Sequence, residues 1–84
     1  MPRLSEFRGI AILIHFNDHN PPHFHATYNG AEALFTIETL TVLAGTLPND
    51  IERRVRAWAE PHQNELRANW DRAVRKESLV KIAP

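Results

Sequence analysis

The 84-residue sequence contains no cysteine and no hydrophobic run long enough to cross a membrane. Without cysteine it has no disulfide bonds, no zinc sites built on thiolates and no thiol nucleophiles. The longest apolar stretch, Ile10 to Ile14, is far shorter than the roughly 20 residues that a membrane-spanning helix needs. The start of the chain also lacks the order of a signal peptide, in which a charged segment precedes an apolar one. We therefore expect a soluble, cytoplasmic protein.

An excess of charge is lacking as well, because ten Lys and Arg residues balance ten Asp and Glu residues. A domain without net charge has no overall basic field of the kind that attracts nucleic acids. The hydrophobic share of 43% and the charged share of 24% are those of a folded chain rather than a disordered one. The length fits one domain with one core, spanning residues 1–84.

The first half of the sequence has the pattern of β-strands. Residues 10–16 are rich in β-branched and aromatic side chains, which predicts a strand. Asn29-Gly30 separates two strand-like runs and predicts a two-residue type I′ hairpin turn. This turn places Phe24 opposite Phe35 on the core face and leaves His23 and His25 on the other face. Residues 40–43 predict a further short strand.

The second half has the pattern of a helix. Apolar residues recur at helical spacing from Ile51 to Val74, and Pro48 suits the first turn. Pro61 interrupts this run, but the apolar phase continues across it, so we expect one kinked helix or two collinear ones. Residues 79–82 predict a last short strand. The expected fold is α+β: a small antiparallel sheet of three to five strands packed on one face against this long C-terminal helix.

Three aromatic side chains of the helical half follow its apolar phase. We expect Trp58 and Trp70 to pack in the core, and His62 to be partly buried and hydrogen-bonded. The basic residues of this half alternate with acidic ones, which is typical of a solvated helix face rather than a nucleic-acid interface.

Four of the five histidines fall between positions 15 and 25, and this segment is the best candidate for a functional site. Imidazole serves as a metal ligand, as an acid or base near neutral pH and as a charge switch. His23 and His25 lie about 7 Å apart along a strand, so they can converge on one cation. His15 would be the third ligand from the neighbouring strand, and Asp18 or His19 a fourth ligand or an outer partner.

Two alternatives to a metal site stay open for the histidines. Without a metal, the imidazoles could bind a phosphate, a peptide or a base edge, and one could act as general acid or base in RNA cleavage. Arg3 and Arg8 are then the nearest cations in sequence for the phosphate charge. The second alternative is a purely structural use, with His23 bonded to Thr36 and the loop residues serving as ordinary turn formers. If the site is functional, we expect His15, His23 and His25 to project outward as one shared surface.

Five stretches of the sequence resemble a small bacterial family of unknown function, DUF4160. They are Met1–Ile10, His15–Ala26, Phe35–Leu40, and the helical residues Trp58–Glu60 with Glu65–Trp70. The resemblance covers nearly the whole chain, and the Phe16–Ala26 block is highly specific to the family. Pro61 departs from the family pattern, in which this region reads as unbroken helix.

The resemblance implies a protein partner, because genes of this family often lie beside a gene for another small protein. Such pairs have been suspected of being toxin–antitoxin modules. The resemblance identifies no catalytic residue.

We therefore predict a protein-interaction component of a paired-gene, toxin–antitoxin-like module. Its binding surface would comprise His15, Asn17, Asp18, His19, His23 and His25. The alternative is a histidine-dependent ribonuclease or phosphodiesterase, with or without a divalent metal ion as cofactor, bound by His15, His23 and His25. A second copy of the chain and RNA are left open as further partners, and no membrane is expected.

Overall fold

The computed structural model describes residues 3–84 and shows one five-stranded antiparallel sheet followed by two helices. The strands are β1 (Ser5–Phe7), β2 (Ile10–Leu13), β3 (His23–Tyr28), β4 (Ala31–Thr36) and β5 (Val42–Gly45). The helices are α1 (Asn49–Ala59) and α2 (Gln63–Val74), joined by a single 3₁₀ turn, Glu60–His62. Each strand pairs with its neighbour in the chain, in the order β1-β2-β3-β4-β5. The predicted α+β fold is confirmed.

The β3–β4 hairpin has the predicted register. Phe24 pairs with Phe35 and His25 with Leu34. The turn residues Asn29 and Gly30 have φ angles of 47° and 82°, as a type I′ turn requires. The Phe24 and Phe35 rings stack with centroids 5.4 Å apart, in the core between the sheet and the helices.

Four strand assignments differ from the sequence prediction. β2 ends at Leu13 rather than at residue 16. β1 was not predicted, because three residues are too few for an alternating pattern to stand out. β5 begins at Val42 rather than Leu40, since Leu40 has a positive φ and its N–H bonds to the Thr36 carbonyl in a turn. Residues 79–82 form no strand: both backbone groups of Val80 bond to the Asn69 side-chain amide instead. One backbone bond, from Ile82 N–H to the Leu4 carbonyl, links this segment to the sheet edge.

The helical half is interrupted at Pro61, where the sequence predicted a kink or a break between two helices. The 3₁₀ turn contains Pro61, and the next residue, His62, leaves helical geometry with φ −109° and ψ 13°. The His62 ring packs against Trp58, and its Nδ1 bonds to Glu65 at 2.7 Å, as expected for a paired, partly buried histidine. Trp58 and Trp70 are buried in the core, which confirms their predicted location. Within residues 3–84, no helix combines the length and apolarity needed to cross a bilayer.

Candidate metal centre

Three of the four neighbouring histidines meet on the sheet face opposite Phe24 and Phe35. The His15 ring lies 4.0 Å from the His25 ring and the His23 ring 5.3 Å from it, measured between centroids. β2 and β3 position them, because Leu13 pairs with His25 and His15 lies just beyond the end of β2. His19 is exposed in the β2–β3 loop, and within residues 3–84 no side-chain hydrogen bond joins it to the other three.

The histidines are not the open surface that we predicted. His23 and His25 do project away from the phenylalanine core, but they are only 5% and 8% exposed. The Trp70 ring from α2 covers His23 at 5.2 Å, and Asp18 in the β2–β3 loop folds against both rings. Side chains from the loop and from α2 thus bury what strand alternation alone would leave in solvent.

Asp18 connects the two buried rings. Its Oδ2 lies 2.9 Å from His25 Nε2 and 3.2 Å from His23 Nε2. Burial acts to raise the pKa of the Asp18 carboxyl, but the hydrogen bond from His25 and the nearby imidazoles outweigh it and hold that pKa below its ordinary value. Asp18 therefore offers a carboxylate to the centre of the group. The other loop candidate, Asn17, is exposed and makes no side-chain hydrogen bond to the group within residues 3–84.

The His23 ring has one bonded nitrogen and one without a partner. Nδ1 lies 2.8 Å from the Pro21 carbonyl, which can only accept, so Nδ1 carries the proton. In the neutral ring Nε2 is then a lone pair. This atom is buried, has no hydrogen-bond partner, and faces the Asp18 carboxylate. The His23 ring thus lies 3.2 Å from the Asp18 carboxylate without a hydrogen bond between them.

Glu32 is a member of the site that the sequence analysis missed. Its Oε2 lies 3.1 Å from Nδ1 of His25, on the side of the ring remote from Asp18. The predicted hairpin register could have identified it. Glu32 pairs with Thr27, so it lies on the same face of the sheet as the histidines and diagonally opposite His25. We call the five residues His15, Asp18, His23, His25 and Glu32 the histidine cluster.

The cluster brings together two carboxylates and no cationic side chain from the described part of the chain. Arg3 pairs with Glu6 instead, and Arg8 lies in the β1–β2 turn, at the end of the sheet away from His23. Burial, followed by the neighbouring His25, lowers the pKa of His15 despite the opposing effect of the two carboxylates.

Two sets of potential metal ligands occur in the cluster. Asp18, His23 and His25 form one, and His15, His25 and Glu32 the other, with ligand atoms in each set within 4.8 Å of one another. The predicted set of three histidines is not among them, because Asp18 rather than His15 lies against His23. Tetrahedral zinc has ligands about 2.0–2.2 Å from the ion and hence roughly 3.3 Å from one another. The 2.9 Å and 3.2 Å separations around Asp18 are close to that spacing.

The comparisons with known proteins identify a family for this chain but no function. Residues 9–71 match the sequence profile of a family described as a domain of unknown function, and this span contains the whole histidine cluster. No curated protein and no solved structure matches the chain. Since the match covers most of the sequence, the chain belongs to that family, DUF4160.

Proposed function

We propose that this domain binds one divalent transition-metal ion through Asp18, His23 and His25 and uses it for metal-assisted hydrolysis. Two imidazoles and one carboxylate are a ligand set found in catalytic zinc and iron sites. Three protein ligands leave at least one coordination position for water or substrate, whereas a structural zinc site has four.

The observation that carries the proposal is the unpartnered Nε2 of His23. Leaving a buried polar atom without a bond costs about 1–3 kcal/mol, so native structures rarely retain one without a reason. An ion between His23 Nε2 and Asp18 Oδ2 would bind the Nε2 lone pair and so give this buried nitrogen a partner. His25 Nε2, 2.9 Å from the same oxygen, would complete the set.

The charges of the cluster support a divalent ion. With neutral imidazoles, Asp18 and Glu32 give the cluster a charge near −2, and no described Lys or Arg side chain bonds to it. A divalent cation would neutralise this charge. It would also supply what a phosphodiesterase needs and this site otherwise lacks, a positive centre that activates water and stabilises the developing phosphate charge.

Metal binding is tested with the purified domain after removal of metal by a chelator. Titration with Co²⁺ should quench tryptophan fluorescence, because Trp70 packs on His23, and should saturate at one ion per chain. Asp18→Asn should abolish binding while changing the side-chain shape little. His19→Gln is the matched control, since His19 belongs to the same loop but is exposed. Equal affinity of all three proteins, or no binding by the unsubstituted domain, would contradict the proposal.

Hydrolysis is tested separately with bis(4-nitrophenyl) phosphate and with RNA. We expect turnover that requires the added metal and disappears in Asp18→Asn. Stoichiometric metal binding without turnover of either substrate would leave a metal site but reject a phosphodiesterase.

The paired-gene role is a second candidate, and it would use another part of the molecule. The burial of His23 and His25 removes the open histidine surface that the sequence predicted for it. The observation that favours it now is the edge strand β5, whose Leu43 side chain is 45% exposed. Such an edge can pair with a strand of another chain.

Co-purification tests this docking site. We expect the product of the neighbouring gene to co-purify with the domain, and we expect Leu43→Asp to prevent this. Co-purification that is unaffected by the substitution would reject β5 as the docking site.

A further inference from the structure

Glu32 belongs to the histidine cluster, where it bonds to His25, but not to the proposed ligand set. We infer that Glu32 is a positioning residue, whose carboxylate accepts a hydrogen bond from His25 Nδ1–H and so presents His25 Nε2 to a single metal ion. This inference rests on the proposed metal site and adds how that site orients its ligands and how many ions it takes.

The geometry of His25 carries the inference. Glu32 Oε2 lies 3.1 Å from Nδ1, and Asp18 Oδ2 lies 2.9 Å from Nε2, so the two carboxylates approach opposite sides of one ring. A neutral imidazole has a single N–H and can donate to one of them. With Nδ1 donating to Glu32, the proposed ion would take the place of the hydrogen bond between Nε2 and Asp18, and Nε2 would offer its lone pair to that ion.

His23 has the same arrangement with a different acceptor. Its Nδ1 donates to the Pro21 carbonyl at 2.8 Å, and its Nε2 faces Asp18. In both histidines Nδ1 bonds to an acceptor, and Nε2, on the other side of the ring, is the nitrogen nearer to Asp18 Oδ2. A carboxylate behind a metal-bound histidine fixes the ring and increases the basicity of the ligand nitrogen, and loss of such a partner typically lowers metal affinity 10- to 100-fold.

A second ion is the competing arrangement, since His15, His25 and Glu32 also form a potential ligand set. Two ions would have to share His25, one at each nitrogen, and the ring would then retain no proton. The Glu32 side chain is 49% exposed and lies on a different strand from the other ligands, so it is better suited to a hydrogen bond than to holding an ion. We therefore assign one ion to the cluster.

Nitrogen-15 NMR of the zinc-loaded domain reads out the assignment directly. Long-range proton–nitrogen correlations should show His23 and His25 with the proton on Nδ1 and the metal on Nε2. A His25 ring with no N–H signal and two Zn²⁺ per chain would mean that Glu32 is a ligand of a second ion. A proton on Nε2 of His25 would reject the positioning role outright.

Co²⁺ titration of Glu32→Gln gives the energetic test. We expect binding to stay at one ion per chain, to weaken 10- to 100-fold, and to show a shifted cobalt absorption band, with the melting temperature of the metal-free protein nearly unchanged. Glu38→Gln, which neutralises an exposed glutamate in the β4–β5 connection, should bind as the unsubstituted domain does.

The outcomes separate the two proposals. Unchanged affinity in Glu32→Gln, together with lost binding in Asp18→Asn, would overturn the role of Glu32 and leave the metal site standing. No metal binding by the unsubstituted domain would overturn both.

Discussion

His23 combines close packing with an unmet bonding requirement. Its side chain is 6% exposed and covered by Trp70, and its Nδ1 is bonded, while its Nε2 has no partner. The packing stabilises the fold and the lone nitrogen opposes it by about 1–3 kcal/mol. The metal-free domain should therefore be less stable than its packing alone would allow.

Replacing His23 with phenylalanine should separate these two effects. His23→Phe keeps a ring against Trp70, removes the unpartnered nitrogen and loses the bond to the Pro21 carbonyl, which lies at an exposed residue and can bind water. The opposing changes are of similar size, so the free energy of unfolding without metal should change by less than about 1 kcal/mol. Stabilisation by Zn²⁺ should vanish. Urea unfolding with and without zinc measures the free energy of unfolding and its increase on zinc binding. A decrease of more than about 3 kcal/mol in the metal-free variant would mean that the fold itself requires the His23 imidazole.

His15 and Asp18 should make the metal-free domain less stable in acid. The folded-state pKa of each is lowered, from ordinary values of 6.5 and 3.8. In both cases the unfolded chain binds more protons, so each contribution is fully present above the ordinary pKa and is lost as pH falls through the folded-state value. The charges facing His15 are those of His25, Asp18, Glu32 and His23.

The measurement is the free energy of unfolding between pH 8 and pH 3 in a chelating buffer. We expect His15→Gln to reduce the loss of stability just below about pH 6.5, since this variant lacks the group that titrates there. The same pH profile for His15→Gln and the unsubstituted domain would contradict this assignment.

At the scale of secondary structure, the β3–β4 hairpin was predictable from the sequence, but the packing of Trp70 over His23 was not. Asn29-Gly30 fixes the turn, and the alternation around it fixes which side chains share a face, so local sequence determined the register. The burial of His23 depends on Trp70, 47 positions later in the chain, and no local pattern reports that contact. The helical phase correctly placed Trp70 in the core, but not which ring it would meet.

The two tryptophans should therefore differ in effect, although both are buried. Truncation of either to alanine should cost about 3–5 kcal/mol, enough to unfold a domain this small. The milder Trp58→Phe and Trp70→Phe should both lower the melting temperature, and Trp70→Phe alone should weaken Co²⁺ binding, because its ring packs on His23 while Trp58 packs on Phe7 and His62. Equal metal affinity in the two variants would show that the cover over His23 does not affect the site.

At the scale of the whole molecule, the potential metal ligands come from one short part of the chain. Residues 15–32 contain all five members of the histidine cluster, and β2, β3 and β4, which carry or flank them, are adjacent in both sequence and sheet. α1 and α2 contribute no ligand to either set. The histidines of the candidate site could be found from the sequence for this reason. Glu32 could not, because its contact with His25 runs diagonally between two paired strands.

The meander order of the strands has a kinetic consequence. Contacts between chain neighbours form with little loss of loop entropy, so β2, β3 and β4 can associate before α2 docks. The proposed ion could then be captured while the domain is still folding, or while it is still being synthesised. Zinc should increase the refolding rate constant in stopped-flow measurements, an acceleration that Asp18→Asn would lack. If zinc instead slows unfolding alone, the ion binds after the fold is complete, and the site assembles last.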